Sequence, residues 1–339
     1  MTKCLFKVER EGVLTTFQDL GYTNLQHLGI TTGGAIDVNC FKIANKLANN
    51  KKNLAALEFA FQGPKLKLTN GKAHISIAGD VHFTILSKKN KLNGQNYKSY
   101  ILEKGDIIDI ISTKKSNYGY LAIEGGFKIQ PFSNSYSTLT KSFIGPNSGE
   151  KLKKNQTIEF KKNTKSILTN YLIFNFKKSN NIIRVIKGPQ MHYFMNKEIK
   201  KFFNLDFKIS NIADRMGIRL IGNKIHSIKS HNILSEGIIK GSVQVPGDKN
   251  PIILMADHPT IGGYPKIATV ILTDIAKIAQ IRTGKEIKFK EVSILSASLF
   301  PSFEFKIILS TNMEISCLVF LFNSGTSLML YKVPSILIF

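Results

Sequence analysis

Short apolar runs of strand length dominate the hydrophobic pattern of the first half of the chain. Turns rich in glycine or asparagine separate them, and they lie at Lys65–Thr69, His74–Leu86, Asp106–Ser112 and Tyr118–Glu124. Runs of this length and spacing are typical of a barrel or sandwich and not of alternating strand–helix–strand units. In the second half, Arg184–Lys187 and Ile252–Ala256 also have the pattern of strands. The pattern therefore predicts a mainly β protein with a few helices.

Three helices are predicted, over residues 37–50, 188–203 and 273–280. In the first, apolar residues recur on one face and Asp37 is a suitable N-cap. Pro189 lies in the first turn of the second, where a missing amide proton costs nothing. Thr273 is the expected cap of the third.

The most polar stretch of the chain, residues 147–181, indicates a domain boundary. We therefore predict an N-terminal domain over 1–180 and a C-terminal domain over 181–292. Residues 293–339 differ in character because they carry only four charged residues, Glu304, Lys306, Glu314 and Lys332. This apolar tail either adds edge strands or is foreign to the fold. Its apolar runs are interrupted well before the roughly 20 residues that a membrane helix needs, so no membrane span is predicted.

The net charge of +24 raises the question of a nucleic-acid partner. The basic residues are scattered as pairs along the chain and do not alternate with aromatic residues, which argues against specific nucleic-acid binding. Lysine is the default cation here, since only five of the 47 basic residues are arginine. Arginine makes planar, bidentate contacts that lysine cannot, so Arg215, Arg219 and Arg282 are candidates for carboxylate or phosphate recognition. A structural ion pair is an equally good explanation for each.

Three cysteines without a CxxC spacing argue against a disulfide framework and favour a cytoplasmic protein, and the N-terminal residues do not resemble an export signal. The seven histidines have no convincing metal-ligand spacing, so no metal site is predicted. Glycine-rich phosphate loops, dinucleotide fingerprints and the Met-Lys-Met sequence that carries biotin are also absent. If ATP or biotin takes part in the chemistry, another chain must bind it.

The most informative segment ends the apolar run 252–256 on Asp257 and continues through Pro259 to a pair of glycines. A strand that delivers polar groups into a rigid loop is a common way to build a site. Carboxylates serve as general bases, and amide or hydroxyl donors stabilise developing negative charge. The candidate groups for such a cleft are Gln18, Asp19, Asp37, Glu58, Asp214, Arg215, Gln244, Asp257, Thr260, Gly262, Gly263, Tyr264 and Arg282. Singly, each could have a purely structural role.

Ordered segments through residues 5–292 resemble one named family. They include Gly12–Gly21, Gly34–Asp37, Gly188–Gln190, Asp214–Leu220, Ser235-Glu236, Val243–Pro246, Pro251–Asp257 and Gly262–Ile267. The family is the C-subunit group of prokaryotic 5-oxoprolinases, also called the KipI-antagonist or allophanate-hydrolase-subunit-2 family, and it is similar to the carboxyltransferase part of urea carboxylase. The resemblance implies two cyclophilin-like β-barrel domains that can exchange strands.

The resemblance also implies a function. This chain would be one part of a multi-subunit enzyme that opens 5-oxoproline to glutamate with ATP, and its partners would be two other subunits, one KipI-like and one ATP-binding. The catalytic candidates are then Asp257, Gln244, Arg215 and Arg282. The substrate-binding candidates are Gln18, Asp19, Asp37, Glu58, Thr260, Gly262, Gly263 and Tyr264. Two alternatives stay open: carboxyl transfer from biotin to a urea-like amide, and a non-catalytic antagonist that binds a KipI-like protein.

The chain departs from the family's usual pattern in three loops. Tyr22 and Tyr136 stand where the family has arginine, and Pro259 and Ile261 stand where it has glutamine and threonine. The loss of two guanidinium groups and one amide would weaken anion or amide recognition, which puts activity of this copy in question.

Overall fold

The computed structural model describes residues 3–50, 54–88, 90–161, 170–173, 180–299, 304–310, 315–321 and 331–333. For 170–173 and from 297 onward only the backbone is described. The chain forms two compact units. The first comprises residues 1–21, 38–176 and 301–339, and the second comprises 22–37 and 177–300.

The strands of the first unit form two sheets. The six-stranded sheet has the order β11-β1-β4-β9-β6-β7, and the nine-stranded sheet has the order β2-β3-β10-β5-β8-β12-β22-β23-β24. The bounds are β1 Cys4–Arg10, β2 Val13–Gln18, β3 Ala56–Ala60, β4 Lys65–Asn70, β5 Ala73–Ala78, β6 Val81–Leu86, β7 Lys91–Asn93, β8 Lys98–Leu102, β9 Ile107–Thr113, β10 Tyr118–Ile123, β11 Thr157–Phe160, β12 Asn170–Ile173, β22 Glu304–Ser310, β23 Ile315–Leu321 and β24 Tyr331–Val333.

One face of the nine-stranded sheet packs on the six-stranded sheet. Phe83 of β6 meets Tyr100 of β8 edge to face, with ring centroids 5.7 Å apart. Because side chains alternate along a strand, the neighbouring positions point the other way, toward α1 (Val38–Leu47). Phe41 of α1 contacts Tyr120 of β10 at 6.3 Å, and Ser76 donates a 2.5 Å hydrogen bond to the Ala44 carbonyl. The sheet is therefore covered on both faces along β5 and β10.

The second unit is a closed seven-stranded barrel with the order β13-β20-β17-β18-β15-β14-β21, in which β13 and β21 pair in parallel and close it. The bounds are β13 Ile182–Lys187, β14 Asp206–Ala213, β15 Gly217–Ile221, β17 Ser242–Gln244, β18 Ile252–Leu254, β20 Lys266–Val270 and β21 Glu286–Glu291. A separate two-stranded ribbon pairs β16 (Glu236–Gly237) with β19 (Ile261–Gly262). Three α-helices lie among the described residues of this unit: α2 Asn196–Asn204, α3 Leu272–Gln280 and α4 Ile294–Leu299.

An aromatic stack fixes α2 against the barrel. Phe202 stacks on Phe289 of β21 with centroids 4.4 Å apart and also contacts Phe207 of β14. All three rings are buried. Helix α2 therefore packs on the barrel at the paired strands β14 and β21.

The mainly β architecture predicted from the sequence is confirmed, but several element boundaries are not. The run 74–86 is two strands, because Gly79, with φ +115°, turns the chain between β5 and β6. The helix predicted over 188–203 begins only at Asn196, after a 3-10 turn over Met191–Tyr193. Thr273 is not a cap, since the N-cap of α3 is Ile271 and makes no side-chain capping bond.

Where the structure describes the tail, backbone strands β22, β23 and β24 extend the nine-stranded sheet beyond β12. The rest of the tail prediction lies outside the described residues. None of the helices in the described part of the chain is long and apolar enough to cross a membrane. The predicted limits 1–180, 181–292 and 293–339 stay a prediction about domains.

Candidate functional site

Asp257 follows β18 and is held by Arg215, which lies in the turn between β14 and β15. The guanidinium donates from Nε to Oδ2 at 2.8 Å and from Nη2 to Oδ1 at 2.7 Å, which is a bidentate pair. The two side chains are only 9% and 7% exposed. Arg215 Nη2 also donates to the Gly34 carbonyl at 2.8 Å. These contacts give both residues a positioning function, and their predicted catalytic function stays a prediction.

The segment 22–37 contacts the backbone just before Asp257. Gly33 donates its amide to the Ala256 carbonyl at 3.0 Å, and Thr31 Oγ1 donates to the same carbonyl at 3.3 Å. At the end of the segment, the predicted site residue Asp37 accepts a 2.8 Å hydrogen bond from Gln280 of α3. Tyr22, one of the departures from the family pattern, is buried. Arg215 therefore holds both the Asp257 carboxylate and the segment 22–37, through the Gly34 carbonyl.

His258 is a buried residue that sequence reasoning did not select. Its Nδ1 lies 2.6 Å from the Pro259 carbonyl oxygen, which can only accept, so Nδ1 carries the proton. Its Nε2 is buried without a hydrogen-bond partner among the described residues. Burial lowers the pKa of the imidazole, and the charge of Lys240 lowers it further. The neutral ring thus presents a bare acceptor nitrogen next to Asp257 in the chain.

Gln244 and Gly262 come into close contact where the ribbon meets the barrel. A Cβ at Gly262 would lie 2.7 Å from Gln244 Nε2, so a larger residue at this position would displace the end of the Gln244 side chain. Gln244 is buried, and its Nε2 has no hydrogen-bond partner in the described part of the chain. A buried amide donor without a partner costs free energy unless a ligand or water satisfies it. Gln244 is therefore the predicted catalytic residue whose surroundings most resemble a ligand contact.

The other predicted residues of this segment surround the same ribbon. The Thr260 carbonyl accepts from the Ile238 amide at 3.1 Å, and the Gly263 carbonyl accepts from the Ile233 amide at 2.9 Å. Tyr264 is exposed. The loop that the sequence predicts after Asp257 contains the short strand β19 (Ile261–Gly262), and these backbone bonds do not assign a substrate-binding function to it.

Three side chains beside Gln244 form a polar group that sequence reasoning missed. Lys266, the first residue of β20, is buried, and its ammonium group contacts Glu236 Oε1. Gln190 Nε2 donates to the same oxygen at 2.7 Å, and Gln190 Oε1 accepts the Lys266 amide at 3.2 Å. The hydrogen bond from Lys266 is the main cause that lowers the pKa of Glu236, and the bond from Gln190 acts in the same direction. Because residues 190, 236 and 266 are far apart in the chain, no local spacing could have indicated the group.

Arg282 and the remaining candidates of the barrel unit are less informative. Arg282 is half-buried in the turn after α3. Arg219 forms a partly exposed ion pair with Asp248. Asp214 Oδ1 accepts the amides of Met216 and Gly217 at 2.8 and 3.1 Å, which is a turn-bracing arrangement.

In the first unit, Asp19 is saturated by donors. Its Oδ1 accepts from Ser135 Oγ and Ser137 Oγ, both at 2.6 Å, and from the Gly21 amide at 2.8 Å. Its Oδ2 accepts the Tyr136 amide at 2.7 Å. A carboxylate that is buried and accepts four hydrogen bonds is well explained as a loop brace. Its predicted binding of substrate stays a prediction.

Gln18 and Glu58 lie on the α1 side of the nine-stranded sheet. Gln18 Nε2 donates to Thr16 Oγ1 at 3.0 Å and to the Thr138 carbonyl at 2.9 Å, while its buried Oε1 has no partner among the described residues. Glu58 Oε2 accepts a 2.6 Å hydrogen bond from Tyr120, its ladder neighbour on β10. Thr16 pairs with Glu58 across β2 and β3, so these side chains form one polar row.

The predicted site residues thus divide between the two units. Arg215 and Asp257 are brought together, as are Gln244 and Gly262 in the barrel unit, and Gln18 and Glu58 share a sheet face in the other. No three His, Cys, Asp or Glu side chains within the described ranges are grouped as ligands for a metal.

Comparisons with known proteins agree with this architecture. Residues 28–291 match the model of the carboxyltransferase domain family, subdomains A and B. The 5-oxoprolinase C subunit of Haemophilus influenzae is 32% identical over 283 residues, which are 84% of this chain and 90% of that protein. The 5-oxoprolinase C subunit of Escherichia coli is 30% identical over 298 residues, or 86% of this chain and 93% of that protein.

Solved structures show the same fold in larger proteins. The urea carboxylase of Kluyveromyces lactis superposes with a TM-score of 0.78 at 26% identity, over 88% of this chain but 28% of that one. The urea amidolyase of the same organism has the same TM-score and identity, and this chain spans about a fifth of it, 19%. Among these similar proteins, the 5-oxoprolinase C subunits are about as long as this chain, whereas in urea carboxylase and urea amidolyase the matching region is part of a longer chain. The family predicted from the sequence is confirmed, and this chain belongs to the family of carboxyltransferase domains with subdomains A and B.

Proposed function

We propose that this chain is the C subunit of an ATP-dependent enzyme that opens 5-oxoproline to glutamate. The two 5-oxoprolinase relatives support the proposal because this chain covers about nine-tenths of each. The proposed partners are two other subunits, one that is KipI-like and one that binds ATP. This chain lacks a glycine-rich phosphate loop of the GxxxxGK[ST] type, which is consistent with ATP being bound elsewhere.

The chemistry explains why such an enzyme needs amide donors. A lactam carbonyl is a poor electrophile. Transfer of the terminal phosphoryl group of ATP to its oxygen releases ADP and makes the ring carbon electrophilic. Water then adds to that carbon, and the ring C–N bond breaks with protonation of the nitrogen to give an acyl phosphate. A second water molecule hydrolyses the acyl phosphate to glutamate and phosphate. Groups that hold the carbonyl oxygen, the ring N–H and the carboxylate in place supply much of the rate.

One observation carries the proposal: Gln244 has a buried Nε2 without a partner among the described residues, on the strand that pairs with Lys266. Directly opposed residues of an antiparallel pair project to the same face, so the Gln244 amide and the Lys266 ammonium lie on one face of β17 and β20. Amide and ammonium donors on one face suit a planar amide with a negatively charged group. The proposed substrate has both.

Reconstitution of the three subunits with the variant Gln244→Leu tests the proposal. We expect ATP hydrolysis that depends on 5-oxoproline to fall at least about tenfold, because a preorganised donor is lost. Gln26→Leu, which removes an exposed amide in the same unit, serves as the matched control and should leave the rate unchanged. Wild-type kcat and KM in the Gln244→Leu complex would contradict the assignment. Binding to the KipI-like partner without any 5-oxoproline-dependent turnover would favour the non-catalytic antagonist.

The likeness to urea carboxylase supports a second candidate, carboxyl transfer from biotin to a urea-like amide. In that reaction carboxybiotin supplies the carboxyl group. Biotin would be carried on another chain, since this sequence has no Met-Lys-Met. In this second reaction the Gln244 amide and the Lys266 ammonium would hold a neutral amide. A biotinylated protein that co-purifies with this chain, together with urea-dependent ATP hydrolysis, would favour this candidate over the first.

A further inference from the structure

The ion pair between Lys266 and Glu236 joins a buried cation to an exposed anion. The Lys266 side chain is 5% exposed, whereas that of Glu236 is 43% exposed. A lysine is rarely buried without a partner, because removing an ammonium group from water is costly. The partner here comes from the short ribbon β16–β19, which is not part of the closed barrel.

Two donors from different elements converge on one oxygen of Glu236. Lys266 Nζ comes from β20, and Gln190 Nε2, 2.7 Å from Oε1, comes from the loop after β13. Gln190 is itself fixed, because its Oε1 accepts the Lys266 amide and its own amide donates to the Lys266 carbonyl at 3.3 Å. The donors are thus oriented by the barrel, while the acceptor is supplied by the ribbon.

A third donor next to them has no acceptor among the described residues. Gln244 Nε2 is buried and unpartnered there, and it lies against Gly262 of the same ribbon. Gly262 is paired with Glu236 in that ribbon. A displacement of the ribbon would therefore uncover the Gln244 amide and the Lys266–Gln190 donor pair together.

We propose that Lys266 and Gln190 form a recognition site for the carboxylate of a small cyclic amide, and that Glu236 occupies this site in the absence of ligand. The substrate carboxylate replaces Glu236 on the two donors, the ribbon moves, and Gln244 receives the amide group. This inference rests on the proposed function and assigns recognition of the substrate carboxylate to Lys266 and Gln190. A neutral urea-like amide would leave Glu236 in place.

The site would also discriminate between substrates by competition. A ligand that must displace an internal carboxylate binds more weakly than it would to an empty site, since part of its affinity is used to break the existing pair. Removing Glu236 should therefore strengthen the binding of carboxylated ligands and leave neutral ones unaffected.

Calorimetric titration of the full-length chain tests this. The probes are 5-oxoproline and 2-pyrrolidinone, which share the lactam ring and differ in the carboxylate. We expect the wild type to prefer 5-oxoproline, and Glu236→Ala to lower its Kd for 5-oxoproline at least about fivefold without a change for 2-pyrrolidinone. Lys266→Met and Gln190→Ala should each weaken 5-oxoproline binding. If Lys266→Met does not fold, Gln190→Ala tests the same donor pair with a smaller change.

The matched control is Glu9→Ala. Glu9 pairs with Lys65 at 3.2 Å in the first unit, so its removal changes the net charge equally and also releases a lysine. It should leave both affinities at the wild-type value. An equal gain in Glu9→Ala and Glu236→Ala would reduce the effect to net charge and overturn the proposal. So would an unchanged or weaker affinity in Glu236→Ala, or no binding of 5-oxoproline by any form of the chain.

The reconstituted complex separates this inference from the proposed function. If 5-oxoproline-dependent ATP hydrolysis occurs but its KM is the same in wild type, Glu236→Ala and Gln190→Ala, the function stands and the carboxylate site is wrong. If no such turnover occurs while the isolated chain still shows the Glu236-dependent preference, the carboxylate site stands and the function is wrong.

Discussion

Two ion pairs of the barrel unit use the same chemistry for different purposes. In the pair Arg215–Asp257 both side chains are buried, and the fork-like guanidinium meets both carboxylate oxygens. In the pair Lys266–Glu236 the cation is buried, whereas the side chain of the anion is 43% exposed. The first pair can be opened only by breaking the packing around it. The second can exchange its anion for one from solution, because the buried cation stays in place when the carboxylate leaves.

The residue types agree with this difference. Arginine makes a planar, bidentate contact and cannot lose its proton, which suits a permanent brace. Lysine is a point charge that accepts an oxygen from many directions, which suits a site whose occupant changes. In a chain with 47 basic residues, of which five are arginine, the position of an arginine is informative.

The largest effect is expected for Arg215→Met. The substitution leaves the Asp257 carboxylate buried without its cation and removes the donor to the Gly34 carbonyl, so the free energy of unfolding should fall by about 3 kcal/mol or more. Arg219→Met is the matched control, because its pair with Asp248 is partly exposed and should contribute about 1 kcal/mol or less. Urea denaturation of the two variants measures the difference. Equal losses would show that burial does not distinguish these pairs.

Asp19→Ala tests whether a saturated carboxylate of the other unit behaves like Asp257. Four donors, two hydroxyl groups and two amides, would lose their acceptor, and we expect a loss of roughly 2–3 kcal/mol. Asp80→Ala is the control, since this half-buried carboxylate accepts the Lys115 amide at 3.0 Å and should lose less than half as much. A stable Asp19→Ala protein whose complex lacks activity would reassign Asp19 from brace to substrate contact.

The predicted and observed structures differ most where distant residues decide the outcome. The β pattern and the loop that begins at Asp257 are predicted from local sequence. The start of α2 at Asn196 is not, because the chain continues along β20 beyond β13, where Gly188 and Gln190 donate their amides to the Ile267 and Lys266 carbonyls. The buried Lys266 could not be predicted either, since lysine is normally exposed and its partner lies 30 residues away.

A pH dependence of stability is expected from His258, which follows Asp257 of the buried Arg215–Asp257 pair. Its pKa is lowered in the folded chain, chiefly by burial, so the unfolded chain binds a proton that the folded chain does not. Stability should therefore fall as the pH decreases below about 6.5, the ordinary pKa of histidine. His258→Leu should reduce this acid sensitivity, and His27→Leu, which removes an exposed imidazole, should not. Unfolding free energies measured between neutral and mildly acidic pH test the sign, and an unchanged slope in His258→Leu would show that the buried ring takes up its proton in the folded state.

The smallest effect on stability is expected for Glu236→Gln, although this substitution changes the Lys266–Glu236 pair directly. The amide oxygen can still accept from Lys266 and Gln190, and the position is exposed, so the free energy of unfolding should change by less than about 1 kcal/mol. The lowered pKa of Glu236 predicts the pH dependence of this small contribution. It is fully present above the ordinary glutamate pKa of about 4.3 and is lost as the pH falls through the lower folded value, a loss that the glutamine variant should not show. Asp257→Asn, the same change in the Arg215–Asp257 pair, should lower the free energy of unfolding several times more. If Glu236→Gln proved as costly as Asp257→Asn, the ribbon would be held by a structural pair, and Glu236 could not give way to a ligand carboxylate.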